Sequence, residues 1–254
     1  MVRSGSSGIR LDYLHTRNVP MERLNLASFI FLVVLFVLTP RAALRSARQL
    51  RQAHAAGTPP PRSRIVLSTM FALAILWFLA AMNAVAMGSN VFSVDGVGIR
   101  EVCIGVVAFA LLLAAIPITR AMRSPEETRR RMLTSLAPRT RSEFAVFVAL
   151  AILAGIAEES AYRGVAVWVL TPVFGGSVPA MLLSAMAFSV AHAVQGCKTM
   201  AMIFGVAIVF HLLVYLTNTL VIAMVVHAAY DVVAAYAAGK LAKALEASAP
   251  TPAI

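Results

Sequence analysis

The chain has 254 residues, 60% of them hydrophobic and 13% charged, with a mean hydropathy of +0.82 and a formal net charge of +11. An ordinary soluble domain is about 45–50% apolar and about 25% charged, so a water-soluble globular fold is excluded; low hydrophobicity, a glycine repeat and a cysteine framework are absent too, which removes disorder, collagen and disulfide scaffolds. What remains is an all-α, polytopic membrane helix bundle.

Residues 1–23 form a polar amino-terminal segment with Arg3, Arg10, Arg17 and Arg23 offset by Asp12 and Glu22. The apolar stretch after it ends at Thr39-Pro40-Arg41 without an A-x-A-like cleavage site, so it reads as a span rather than a signal peptide. Spans are predicted at about 24–39, 65–88 and 102–119, runs of apolar residues without an internal charge. A fourth helical stretch begins near Glu143 and runs to about Leu170, where Thr171-Pro172 and Gly175-Gly176 break it. Three more follow at about 177–195, 199–216 and 219–238, giving seven spans, or eight if the long fourth segment divides. Residues 24–142 are thus three accessory helices with their loops, residues 143–238 a four-helix module that carries the chemistry, and residues 239–254 a tail.

Thirteen of the 22 basic residues lie in two loops, 40–64 and 120–142, and the first of these contains no acid. Arg-rich short loops mark the cytoplasmic side and attract anionic headgroups. The basic balance therefore reports topology and the lipid bilayer as partner, with no nucleic acid, and puts the amino terminus outside. Ala- and Arg-rich composition with short loops points to a bacterial inner membrane. Cys103 and Cys197, beside or within apolar stretches, read as reduced packing residues.

An ionisable side chain at the bilayer centre costs roughly 2.5–3.5 kcal/mol on insertion scales and defaults to a functional role. Glu158, Glu159, Arg163, His192, His211, His227 and Asp231 all fall in the last four helices, and the first three spans have none. Residues four apart share a helix face, so Glu159 pairs with Arg163 as a structural ion pair, and His227 lies one turn from Asp231. Glu158 projects about 100° away from Glu159; the two are not expected at one spot, which leaves Glu158 free to enter the bundle. Two histidines and a carboxylate, His192, His227 and Glu158, form a metal-ligand set of the His₂Glu kind with an open position for water, and a divalent ion there, zinc by this donor set, would supply a nucleophile. His211 matches no pattern and reads as a satisfied interhelical hydrogen-bonder.

Three motifs then coincide in order: EESAYRG at Glu158–Gly164 matches EExxxR, FSVAH at Phe188–His192 matches FxxxH, and HAAYD at His227–Asp231 matches Hxxx followed by Asn or Asp. Together they resemble the CPBP (Abi) family of intramembrane endopeptidases, which includes type II CAAX prenyl proteases and bacteriocin-processing or immunity proteins. The resemblance covers roughly residues 143–238. It implies that Glu158 is the general base, supported by Glu159 and Arg163, that His192 and His227 bind metal or polarise the water and the developing oxyanion, and that Asp231 occupies a position often filled by Asn. An ionised Asp231 only accepts hydrogen bonds, which favours a His-orienting or metal-binding task over oxyanion binding. The expected activity is hydrolysis of a peptide bond in a membrane-associated peptide or protein. A proton-coupled transporter and a non-catalytic scaffold or immunity factor are the competing readings of the same buried groups.

Overall fold

A computed structural model describes residues 24–121, 123–134 and 136–248; the predicted polar segment 1–23 and the end of the predicted tail lie outside them. The described residues form eight helices and no strand: α1 (Leu26–Ala55), α2 (Arg62–Ala86), α3 (Ile99–Ala121), α4 (Pro125–Thr134), α5 (Arg141–Phe174), α6 (Ser177–Ala191), α7 (Cys197–Thr217) and α8 (Leu220–Ala247). Six of them, all but α4 and α6, are long and apolar enough to cross a membrane. The protein is thus a multi-pass membrane protein, and Phe29, Phe71, Phe78 and Leu111 face outward as lipid-contacting bulk.

The helix bounds depart from the sequence reading in four places, each with a local cause. Asn25 starts α1 by accepting a hydrogen bond from Ser28 N–H at 3.1 Å, but the helix does not stop at residue 39. Thr39 N–H donates to Val34 O, five residues back, and this widened π turn makes room for the ring of Pro40 and its missing donor, so helix continues to Ala55. α5 likewise runs through Pro172 and ends only at Gly175, whose φ of 67° is left-handed; the fourth segment does not divide at the proline. The predicted span at 177–195 is the short α6, 15 residues ending at the cap position His192, followed by a 3-10 turn at Ala193–Gln195. A helix of about 20 residues is needed to span the hydrocarbon, so α6 is too short to be counted with the spans. Finally, the second Arg-rich loop holds α4, which starts at Pro125 with Glu126 and Glu127 in its first turn, suited to the positive helix end.

The ends of the helices sort into two faces. At one, Arg62 reaches the carbonyl of Ala137 and lies 3.8 Å from Glu143, Arg139 pairs with Glu246 at 2.9 Å, Arg123 donates to Thr199, and Lys198 pairs with Glu127 at 3.0 Å. The Lys198 ammonium holds the Glu127 carboxyl below the usual carboxylate range. At the other end the Thr219 hydroxyl donates to Ser93 O at 2.9 Å and Arg100 reaches Leu216 O. Both Arg-rich loops therefore lie on one face of the bundle.

α5 is the central element. It starts with a capping box between Thr140 and Glu143, and its middle turn, Glu159–Val165, is a π turn that touches α2, α6, α7 and α8. Phe31 and Leu35 of α1 are sealed in the same apolar cluster as Tyr162, Val165 and Val169, so the first helix is built into the core around the charged module. Cys103 and Cys197 are both free and exposed, not packed inside.

Candidate active site

The π turn decides the geometry of the acids. Ala166 N–H donates to Ala161 O, five residues back, and the wider turn rotates less per residue than an α turn. Glu158 and Glu159, not expected at one spot, consequently take the two edges of a single ring: His227 Nδ1 lies 2.7 Å from Glu159 Oε1, and His227 Nε2 lies 3.6 Å from Glu158 Oε2. His227 Nε2 is also 3.6 Å from Asp231 Oδ2. A carboxylate can only accept, so Nδ1 carries the proton shared with Glu159. Nε2 is left facing two carboxylates at a separation too long for a direct hydrogen bond and within ion-pair reach.

The cluster is layered from sealed to open. Glu159 is 0% exposed and Arg163 1%, joined at 3.1 Å as the sequence spacing requires, while the side chains of Glu158 and Asp231 keep 15% and 33% of their surface. Arg163 is clamped by aromatic faces, its guanidinium 4.3 Å from the Phe188 ring centre and 5.3 Å from that of Phe210, contacts that favour a desolvated cation. Phe210 also lies against the His227 ring at 5.3 Å. The sealed pair thus acts as a fixed bracket for the imidazole, and the groups reachable from outside are those on its far edge.

α6 contributes through one face read at four-residue spacing: Ser184, Phe188 and His192. The Ser184 hydroxyl donates to Tyr162 O at 2.6 Å, which satisfies a carbonyl of the π turn from the neighbouring helix. Phe188 packs edge-on against Tyr162 at 5.0 Å and against the His192 ring at 4.6 Å. His192 Nδ1 is 2.8 Å from Phe188 O; a carbonyl accepts, so Nδ1 donates and Nε2 is the free edge of the ring. His192 lies within electrostatic reach of Glu158 and Asp231 but makes no hydrogen bond or ion pair with them or with His227. Sequence reasoning missed Ser184 and Phe210. The four-residue spacing to Phe188 and His192 was a usable signal for the first, and nothing in the local pattern marked the second. His211 is buried with Nε2 unpaired among the described residues, not the satisfied hydrogen-bonder expected.

Close backbone approach sets this register. A Cβ built on Gly155 would lie 2.7 Å from Met224 O and 3.3 Å from Ala228 N, so α5 and α8 meet through bare backbone one turn before Glu158 and Glu159. Gly155→Val is expected to push α8 away, lowering stability by about 1–3 kcal/mol and disproportionately lowering turnover. Thermal unfolding in detergent and activity at a temperature where the variant is folded check the two parts separately.

Residues 140–233 match the sequence profile described as type II CAAX prenyl endopeptidase Rce1-like. Over that stretch the chain is similar to the Rce1-like family. The matched segment opens at the Thr140 cap of α5 and closes just past Asp231, so it contains the π turn, α6, α7 and every charged group of the cluster; α1 to α3 lie outside it. No curated protein and no solved structure matches the chain. The family so described is one of CAAX prenyl endopeptidases, hydrolases of peptide or protein substrates.

The matched segment holds all three residues of the zinc set predicted from sequence, His192, His227 and Glu158. Among the described residues no three His, Cys, Asp or Glu side chains are grouped to hold a metal ion. His192 donates Nδ1–H to the Phe188 carbonyl and His227 donates Nδ1–H to Glu159, which leaves the Nε2 edge of each ring free, the orientation a ligating imidazole takes.

Proposed function

We propose that Glu158 is the general base of this intramembrane endopeptidase, activating a water shared with His227 and Asp231 for attack on a peptide carbonyl. The observation that carries the reading is the pair of 3.6 Å separations from His227 Nε2 to Glu158 Oε2 and Asp231 Oδ2. The water oxygen adds to the carbonyl carbon while its proton passes to Glu158. Collapse of the tetrahedral intermediate breaks the C–N bond, and the proton on Glu158 goes to the departing amine nitrogen, as microscopic economy of a single acid–base residue permits.

Glu159 and Arg163 are positioning residues in this scheme. Three carboxylates, Glu158, Glu159 and Asp231, face one guanidinium and one imidazole. A His227 imidazolium brings the cluster's net charge from two negative to one, donates Nδ1–H to Glu159 and turns Nε2–H toward the oxyanion, a preorganised donor in a site poor in water. Asp231, an acceptor only, orients the water and the ring. His192, with Nε2 free, accepts a hydrogen bond from substrate or water on the α6 side. A prenylated peptide ending in a CAAX sequence, the substrate in the family's description, is the first probe.

The reading in which His192, His227 and Glu158 hold zinc is separable by measurement. Elemental analysis of the purified protein is expected to find substoichiometric metal, with hydrolysis surviving a chelator. One zinc per chain, lost in a His192→Ala, His227→Ala double variant, would establish the metal reading instead.

A further inference from the structure

The last turns of α1 form a second feature that the cleavage chemistry does not use. Arg41, Arg45, Arg48 and Arg51 follow one another at intervals of four, three and three, and all four are exposed. On the other side of the helix Ala47 is 3% exposed and Ala43 and Leu50 are half-buried. There the segment Thr39–Ala55 packs on α6 and on the turn Ala193–Gln195 that follows His192. No acid occurs between residues 40 and 64, and none of the four guanidinia has an ion-pair partner among the described residues.

Position supplies the occupant. At about 1.5 Å per residue, Arg51 lies roughly 37 Å along the helix from Leu26, beyond the roughly 30 Å hydrocarbon layer; Arg45, about 28 Å along, lies at the edge of that layer, and Arg41, about 22 Å along, reaches toward the edge by extending its long side chain. The four cations therefore stand at or near headgroup depth, on the face of the bundle that also carries Arg62, Arg123, Arg139 and Lys198. A guanidinium forks onto phosphate oxygens with matched geometry, and a basic segment beside a span is drawn to anionic lipid.

We propose that the exposed guanidinium face of Thr39–Ala55 is a docking surface for anionic phospholipid headgroups, and that lipid held there seats α1 on the Ala193–Gln195 turn and so sets the placement of His192. The docking half stands on the helix alone; the coupling half rests on the reading of His192 as part of the reacting site.

The full chain is reconstituted in vesicles of equal phosphatidylglycerol and phosphatidylcholine containing a photoactivatable analogue of one or the other lipid. Adducts are then mapped by mass spectrometry. Phosphatidylglycerol adducts on residues 39–55 are expected to exceed phosphatidylcholine adducts by about fivefold or more, the factor that about one arginine's attraction supplies. They should fall toward parity in Arg41→Gln/Arg45→Gln/Arg48→Gln/Arg51→Gln and, with no residue changed, in wild type at high salt. Equal labelling by the two lipids in wild type overturns the docking. Peptide hydrolysis by wild type is expected to drop several-fold in pure phosphatidylcholine, and the fourfold variant in mixed lipid should match it. Hydrolysis indifferent to lipid, with selective adducts present, overturns the coupling. Absence of hydrolysis in every lipid is a failure of the protease reading, and the adduct map still decides the docking.

Discussion

Glu158→Gln is expected to lower peptide hydrolysis by about 10²–10⁴-fold, the range a positioned general base supplies, while leaving the unfolding temperature within a degree or so of wild type. The size of the loss follows from the amide's inability to take the water proton. The small structural effect follows from Glu158's position on the open side of the cluster: it is tied to no buried partner closer than the 3.6 Å to His227, whereas the bracket beneath it is sealed. Steady-state hydrolysis of a reconstituted membrane-anchored peptide, with melting followed in parallel, checks both. Proton-coupled uptake of a solute that disappears in the same variant would instead favour a transporter, and full biological protection by it would favour a scaffold.

Arg163→Ala is expected to do the opposite, removing fold and activity together. It leaves the Glu159 carboxylate with 0% exposure and without its cation, and stripping one partner from a buried pair costs about 3–5 kcal/mol. The packing between Phe188 and Phe210 is lost as well. Replacing both members, Glu159→Leu with Arg163→Leu, removes the uncompensated charge and is expected to recover most of that stability, since well-packed apolar pairs often match buried ion pairs. Activity should not return, because His227 Nδ1 has then lost the acceptor that fixes its ring. Unfolding in detergent and turnover measured on the single and double variants separate the structural role of the pair from its positioning role. A double variant as unstable as Arg163→Ala would sink this division of roles.

Much of this was legible in the sequence because it is written in spacing. The four-residue interval makes the Glu159–Arg163 pair and the His227–Asp231 face inevitable on any helix, and long charge-free runs announce the spans. The meeting of Glu158 with Glu159 at one imidazole was not legible: α-helical geometry turns adjacent residues about 100° apart, and no residue in ESAYRGV advertises the π turn that relaxes this. The same device hid the continuation of α1 through Pro40, whose ring reads as a stop in an α-helix and is accommodated where the preceding turn is widened. Composition made 177–195 look like a span, and only the structure shows the shorter α6 capped by His192, with its ring tied back to Phe188. That tether fixes the ring so that Nε2 is its free edge, a detail residue types alone do not carry. The bare backbone contact at Gly155 depends on what α8 brings opposite it, which no local pattern contains.

Whether water itself attacks the scissile carbonyl, with Glu158 only moving the proton, is decided by a single-turnover cleavage in H₂¹⁸O. One ¹⁸O in the new carboxylate of the product, with the peptide that contains Glu158 unlabelled, is the predicted result. Product free of ¹⁸O after one turnover, with the label in the peptide that contains Glu158 and reaching product only on later cycles, would mean that the carboxylate attacks directly and would contradict the shared water around His227.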